Sequence, residues 1–324
     1  RKLRSAKSRS RSKNGLSDGQ HVLMNPTGPP TGPLMHVHAH VACPFDGTCG
    51  KDCVGTQYGG RRLPSHVRAH LLAKRHRGEL IYYSFGMGQD ISFDISMACI
   101  LNTTALLFDP SPHAAEHFKF VMERLGQHGN ELGTAVDSKL ECGGCRNAGE
   151  RKAYWSWIRH SPSPRSVFRY MPVALSNVTG TQTFYQAQTQ QASGSYSLVA
   201  DMRDKGGQVG RNVAVRTASL QKLMAEFGHH RIDALKIDVE GMEVKLLELF
   251  LESKVLPSVV FVDVDAMCCC HGTPMNCRRL KREAKEVIRN LAAAGYSHVK
   301  HGQGDYTFFR MRSLRAPFPT ARAA

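Results

Sequence analysis

The sequence predicts an α/β protein built on a doubly wound, mainly parallel sheet with an antiparallel hairpin at one edge. Three observations lead there. Short apolar runs alternate with amphipathic helical patterns, the arrangement that demands crossover connections between parallel strands. Glycines follow the first of these runs, and acidic residues follow several others. The composition supplies enough core: of 324 residues, 41% are hydrophobic and 8% aromatic, as in ordinary globular domains.

The elements follow in order. "LPSHVRAHLLAKRH" (63–76) carries Leu63, Val67, Leu71 and Leu72 at helical spacing, and the globular domain is expected to begin there. "ELIYYSF" (79–85) reads as a buried strand and "ISFDISMACILN" (91–102) as a helix. "ALLFD" (105–109) is a second strand, and "HAAEHFKFVMERLG" (113–126) a helix stopped by Gly126. An irregular stretch containing "ECGGC" and "YWSWIRHSPSP" comes next. "FRYMPVAL" (168–175) reads as a strand, with "TQTFYQA" (181–187) as its hairpin partner. "VRTASLQKLMAEFG" (215–228) is a strand end leading into a helix. The strand 232–239, helix 241–255, strand 258–266 and helix 276–295 follow, and 296–311 forms the terminal hairpin. The domain thus spans 63–312, after a basic arm (1–35) expected to be disordered and a Cys/His/Gly-rich segment (36–62), and before a short tail (313–324).

The formal charge of +16 is unevenly spread. Residues 1–13 hold Arg1, Lys2, Arg4, Lys7, Arg9, Arg11 and Lys13 without an acid, a solvated block suited to electrostatic contact with a polyanion or an anionic membrane face. The helix 276–289 is also basic but lacks the interleaved aromatics of a nucleic-acid platform, so no specific nucleic-acid partner is expected. No apolar run in these residues approaches the ~20 needed to span a bilayer. The chain opens on Arg1 rather than Met, and the expectation is of further residues upstream.

In doubly wound sheets, ligands sit beyond the carboxyl ends of the strands near the switch point. That rule nominates Ser84 to Asp90, Asp109 to Ser111, Asp238 to Glu243, and Asp263 with Asp265. Gly86 and Gly88 suit a turn where the backbone twists or a ligand presses close, or a tight turn alone. The third glycine of a dinucleotide loop is missing, which counts against a nicotinamide enzyme. Asp109 stands where nucleotide-binding sheets place the acid that holds the ribose hydroxyls, though a turn acid is the plainer alternative. In "LKIDVEGMEVKLL" (235–247), alternation puts Lys236 and Asp238 on one strand face, either as a structural pair or lining a site.

"LKIDVEGME" resembles the signature of the FkbM-type methyltransferases, which use S-adenosylmethionine (SAM). The neighbouring pieces are similar in order: "YSFGMGQDISFD", "LLFDPSP", "MPVALSNVTGTQTFY" and "VVFVDVD". The resemblance covers about 80–310 and is closest to the methyltransferase-like branch of eukaryotes. It implies a Rossmann-like sheet of the class I methyltransferase type and transfer of a methyl group to a hydroxyl of a small-molecule or glycan acceptor. It implies cofactor contacts from Ser84, Phe85, Gly86, Gly88, Asp90, Asp109, Pro110, Ala174, Leu175 and Asp238. Asp238, and after it Glu240, would border the transfer cleft as candidate general bases, and no metal is implied. Many family members have Asp at position 84 and Gly at position 90. A chain that has lost its cofactor site, with the basic arm binding a polyanion, is therefore the alternative.

Ten cysteines complete the picture, among them Cys142 and Cys145 as C-x-x-C and four within "CCCHGTPMNC". Disulfides, a metal site assembled from distant segments, and free thiols all remain open. His36, His38 and His40 share one strand face but read as incidental. Sequons at Asn102 and Asn177 agree with disulfides in favouring a secretory or membrane-anchored lumenal location.

Overall fold

Alternation along each strand divides the core into two layers, one on either face of a central sheet. The computed structural model describes residues 43, 45–46, 50–76, 78, 80–127, 140, 142–186, 196–199, 212–268 and 274–310. All of them fall in one unit, Val41–Ala324. The basic arm, the histidines at 36–40, much of the 268–273 cysteine run and the tail lie outside the described residues.

A two-strand hairpin comes first, β1 (Cys53–Val54) and β2 (Arg61–Arg62), followed by α1 (Ser65–His76). β3 (Tyr82–Phe85), α2 (Ser92–Leu101), β4 (Ala105–Phe108) and α3 (Pro112–Arg124) alternate as the sequence predicts. The irregular stretch then contains α4 (Ala148–Arg159), whose start is fixed by the Asn147 side chain accepting from the Glu150 amide. Its apolar face, Tyr154, Trp155 and Ile158, is buried.

The predicted strand 168–175 is two strands. β5 (Phe168–Met171) pairs with β4, whereas β6 (Val173–Leu175) pairs in parallel with β9 (Val213–Ala218). Pro172 stands between them, and with no N–H to give the ladder it marks where the chain changes sheets. β7 (Gly180–Gln186) pairs antiparallel with β9 and with β8 (Tyr196–Ser197), so its main partner is β9 and not the strand before it. These four make a smaller sheet in the order β6-β9-β7-β8.

α5 (Leu220–Glu226), β10 (Ala234–Ile237), α6 (Glu243–Ser253), β11 (Val259–Asp263), α7 (Asp265–Cys268), α8 (Pro274–Ala293), β12 (Tyr296–His301) and β13 (Asp305–Arg310) complete the chain. The central sheet has seven strands in the order β12-β13-β11-β10-β3-β4-β5. β5, β4, β3, β10 and β11 are parallel, and β13 runs antiparallel to both β11 and β12. Tyr82, Leu107, Ala234 and Phe261 face α1–α4, while Tyr83, Phe108, Leu235 and Val260 face α5, α6 and α8. The chain first builds outward from β3 toward β5 and then returns to lay β10 on β3's other side. The switch point, and with it the expected ligand crevice, lies between β3 and β10.

Candidate active site

The two loop glycines serve different ends. Gly86, with φ +80°, packs so close to the end of β10 that a Cβ would collide with the Asp238 carbonyl. Its glycine is required by strand packing. Gly88, with φ +54°, meets nothing within 4 Å where a Cβ would stand. The loop therefore opens at Gly88 and closes at Gly86.

Asp109 organises this loop from the end of β4. One carboxylate oxygen accepts from the Gly88 amide at 2.8 Å and the other from the Ser111 amide at 2.9 Å. The Tyr170 hydroxyl donates to its carbonyl, and its own amide donates to Met171. Pro110, half-buried, leads from it to Ser111, the N-cap of α3.

Beyond β10 and β11 lies a ring of acids around one cation. Arg61, at the end of the β1–β2 hairpin, donates to Asp238 at 2.7 Å and sits 3.3 Å from Asp305 and 3.9 Å from Asp263. Its side chain is only 4% exposed, while the three acids are a quarter to a third exposed. Lys236, buried on the same face as Asp238, donates to the Gly86 carbonyl at 2.7 Å and stands 3.9 Å from Asp94. The two charges that alternation placed on one face stand 4.0 Å apart as a pair, and each has a further partner, Lys236 the loop carbonyl and Asp94, Asp238 the Arg61 guanidinium. Burial first, and then the Asp238 charge, raise the Asp263 carboxyl to about 6.

The turn after β10 is held from within. Glu240 adopts φ +56°, sparsely populated for a residue with a side chain, and its carbonyl accepts from the Ser197 hydroxyl. Glu243 is buried and accepts from the amides of Val239 and Gly241. Burial, and then the negative charges around them, push both Glu243 and Asp265 well above the carboxylate range.

The remaining predicted residues scatter. Ser84 is buried in β3, and the Phe85 ring stacks on Phe108 within the core at 4.5 Å, leaving Phe85 only its backbone for a ligand. Asp90 does not face the loop opening: it accepts from the Thr56 hydroxyl and the Ser92 amide, and burial raises its carboxyl above the ordinary value. Ala174 packs with Phe184 and Val215, while Leu175 turns to the other core layer. Leu175 also lines an open groove of about 420 Å³ with Ser219, Leu246 and Phe250.

Arg61 and Tyr58 are the residues that the sequence reading passed over. Tyr58 is 66% exposed, and its ring lies against the Cys142–Cys145 loop, where a Cβ on Gly143 or Gly144 would press into it. The Gly143 amide in turn donates to the Gln89 carbonyl beside the Gly88 loop. A lone Arg-Arg before a helix carries no periodic signal, so nothing in "GGRRLPSH" betrays the insertion of Arg61. Cys142–Cys145 and Cys43–Cys99 are disulfides, and Cys53 and Cys277 are disulfide-bonded as well. Among the described residues no group of His, Cys, Asp and Glu is arranged to hold a metal.

Compared with known proteins, residues 145–297 match the model of the methyltransferase FkbM domain, somewhat under half of the chain. The match takes in the strand β10 turn with Asp238 and Glu240, and stops short of the Gly86–Asp109 loops. No curated protein matches the chain.

Proposed function

We propose that the chain is a SAM-dependent methyltransferase acting on a hydroxyl of a small-molecule or glycan acceptor. The observation that carries the reading is the Asp109–Gly88 bridge. An acid at the end of β4 is hydrogen-bonded to a loop that opens beside the switch point of a seven-stranded sheet. The FkbM-domain match over 145–297 supports it from the other half of the crevice.

SAM, when bound, supplies an electrophilic methyl group. The chain's own residues must then hold the cofactor and align an acceptor. Asp109 has carboxylate lone pairs left beyond its two amide contacts, and it is assigned to the ribose hydroxyls. The open backbone at Gly88 borders the cofactor, and Gly86 keeps that backbone tight against β10. Ser84, Phe85 and Pro110 contribute through their positions around the loop. Ala174 and Leu175 form apolar surroundings in the adjoining sheet.

Asp238 and Glu240 border the cleft. Because Arg61 occupies one oxygen of Asp238, we assign Asp238 to orientation. Proton removal from the acceptor hydroxyl goes to Asp263, whose carboxyl burial and the Asp238 charge raise to about 6. The six cysteines found in disulfides support a secretory or lumenal location, since such bonds persist in oxidising compartments.

Calorimetric titration tests the reading. The chain should keep residues 43–62 and its disulfides and be titrated with SAM, with NAD as control. Micromolar SAM binding is expected, absent for NAD and lost in Asp109→Ala. A folded protein that takes up no SAM would sink the enzyme assignment and leave a methyltransferase-like binding protein.

A further inference from the structure

We infer that the outer face of α8 is a docking surface for a linear sulfated polysaccharide. Arg278, Arg282, Lys285 and Arg289 follow one another at four-, three- and four-residue steps. On an α-helix that spacing places all four within one narrow stripe, running along about 16 Å of the axis. All four are exposed, as is Lys281 on one flank. The stripe points away from the core: Ala284, Val287 and Leu291 occupy the opposite side and pack on the sheet. The nearest acids lie off it. Glu283 is 3.5 Å from Arg279, outside the stripe, and Glu286 stands on the other flank. Glu286, four residues after Arg282 and three before Arg289, offsets part of the repulsion that like charges at i, i+4 bring to a helix, but one acid on the flank does not balance four cations in the row.

Three features choose the partner. The apolar side of α8 is consumed by the core, so the helix cannot lie in a membrane interface with that side inserted. None of the exposed residues of the helix is aromatic, so it offers no stacking platform for bases. Disulfides at Cys43, Cys53, Cys99, Cys142, Cys145 and Cys277 suit an oxidising compartment, where sulfated and carboxylated glycans are the linear polyanions a protein meets. A regular row of guanidinium and ammonium groups complements sulfate groups repeating along such a chain. The inference stands independently of the proposed methyl transfer.

The test uses the full chain, with its basic arm, on immobilised heparin. The stripe variant Arg282→Glu/Lys285→Glu/Arg289→Glu is compared with Arg216→Glu/Lys222→Glu/Lys245→Glu. The second variant removes the same charge from exposed positions elsewhere, and both are checked for an unchanged circular dichroism spectrum and melting curve. The stripe variant is expected to bind heparin roughly 100-fold more weakly at low salt, at about a tenfold or smaller loss per charge. The control variant should lose far less. Equal losses in the two variants would show that net charge alone is at work and overturn the assignment. So would unchanged binding by the stripe variant, which would leave the arm as the binder. Retention on desulfated heparin, or stronger binding to phosphatidylserine vesicles or a single-stranded oligonucleotide than to heparin, would also overturn it.

Discussion

Asp263 shows how one carboxylate is set by its neighbours. It shares the Arg61 guanidinium with Asp238 and Asp305, yet burial and the Asp238 charge outweigh that attraction and hold its carboxyl at about 6. A carbon-detected NMR titration should find one aspartate with that midpoint. In Asp238→Asn the midpoint should fall, because a repelling charge disappears and Arg61 is released toward Asp263. An unmoved midpoint would remove Asp263 from the proton-transfer role. Glu243 and Asp265 behave differently, since burial and the surrounding acids raise both far enough to keep them protonated at neutral pH. Their folded values lie above the unfolded ones, so the stability linked to them is complete below the ordinary carboxylate range. It is lost as pH climbs toward the raised values. The melting temperature should therefore decline between about pH 5 and about pH 9, and Glu243→Gln should flatten that decline. At this scale the sequence was legible where the rules are local. Asp109 after an apolar run, and Lys236 with Asp238 on one face, could be placed from pattern alone. Asp90 could not be placed, because its orientation depends on Thr56, which lies 34 residues away in sequence.

Among the elements, strands and helices of the parallel core were readable because their apolar period is strict. α4 was missed because "ERKAYWSWIR" carries its apolar residues in one tight cluster rather than spread over several turns, and its N-cap follows a disulfide loop. The β1–β2 hairpin was invisible for another reason: two-residue strands have no period at all. Yet the hairpin supplies Arg61 to the acid ring, and the Arg62 carbonyl accepts from Thr307 in β13 at 2.6 Å. The Cys43–Cys99 disulfide links the start of this segment to α2 across a sequence separation of 56. On the chain-entropy account, closing a loop of that length is worth ~4 kcal/mol. The double variant Cys43→Ser/Cys99→Ser is expected to lose about that much in urea unfolding, and to become sensitive to limited proteolysis at 50–60 first. Equal stability to the parent would show that the hairpin is held by Arg61 and its hydrogen bonds alone.

For the molecule as a whole, order of the strands was only partly legible: the parallel core and the closing hairpin follow from alternation, but pairing across the smaller sheet does not. The two sequons also separate only in three dimensions. Asn177 is exposed in the turn between β6 and β7, whereas Asn102 caps α2 in a left-handed conformation, half-buried, with its carbonyl accepting from Arg75. Expressed through a secretory pathway, the protein should carry an N-linked glycan at Asn177 and none at Asn102. A glycosidase-sensitive gel shift abolished by Asn177→Gln checks this. Arg61 has one further implication, which concerns the order of events during synthesis. Its partners stand at 238, 263 and 305, so Arg61 is made long before any of the three acids and its set of partners is complete only when almost the whole described chain has been made. Contacts that distant in sequence form late, after the loops between them have been closed. A nascent chain halted before β13 would have its first glycine loop and Asp109 in place, with Arg61 facing only two of its three acids, Asp238 and Asp263. The mouth of the crevice is therefore the last part of the site to be completed, after the loop at Gly86 and the acid at Asp109.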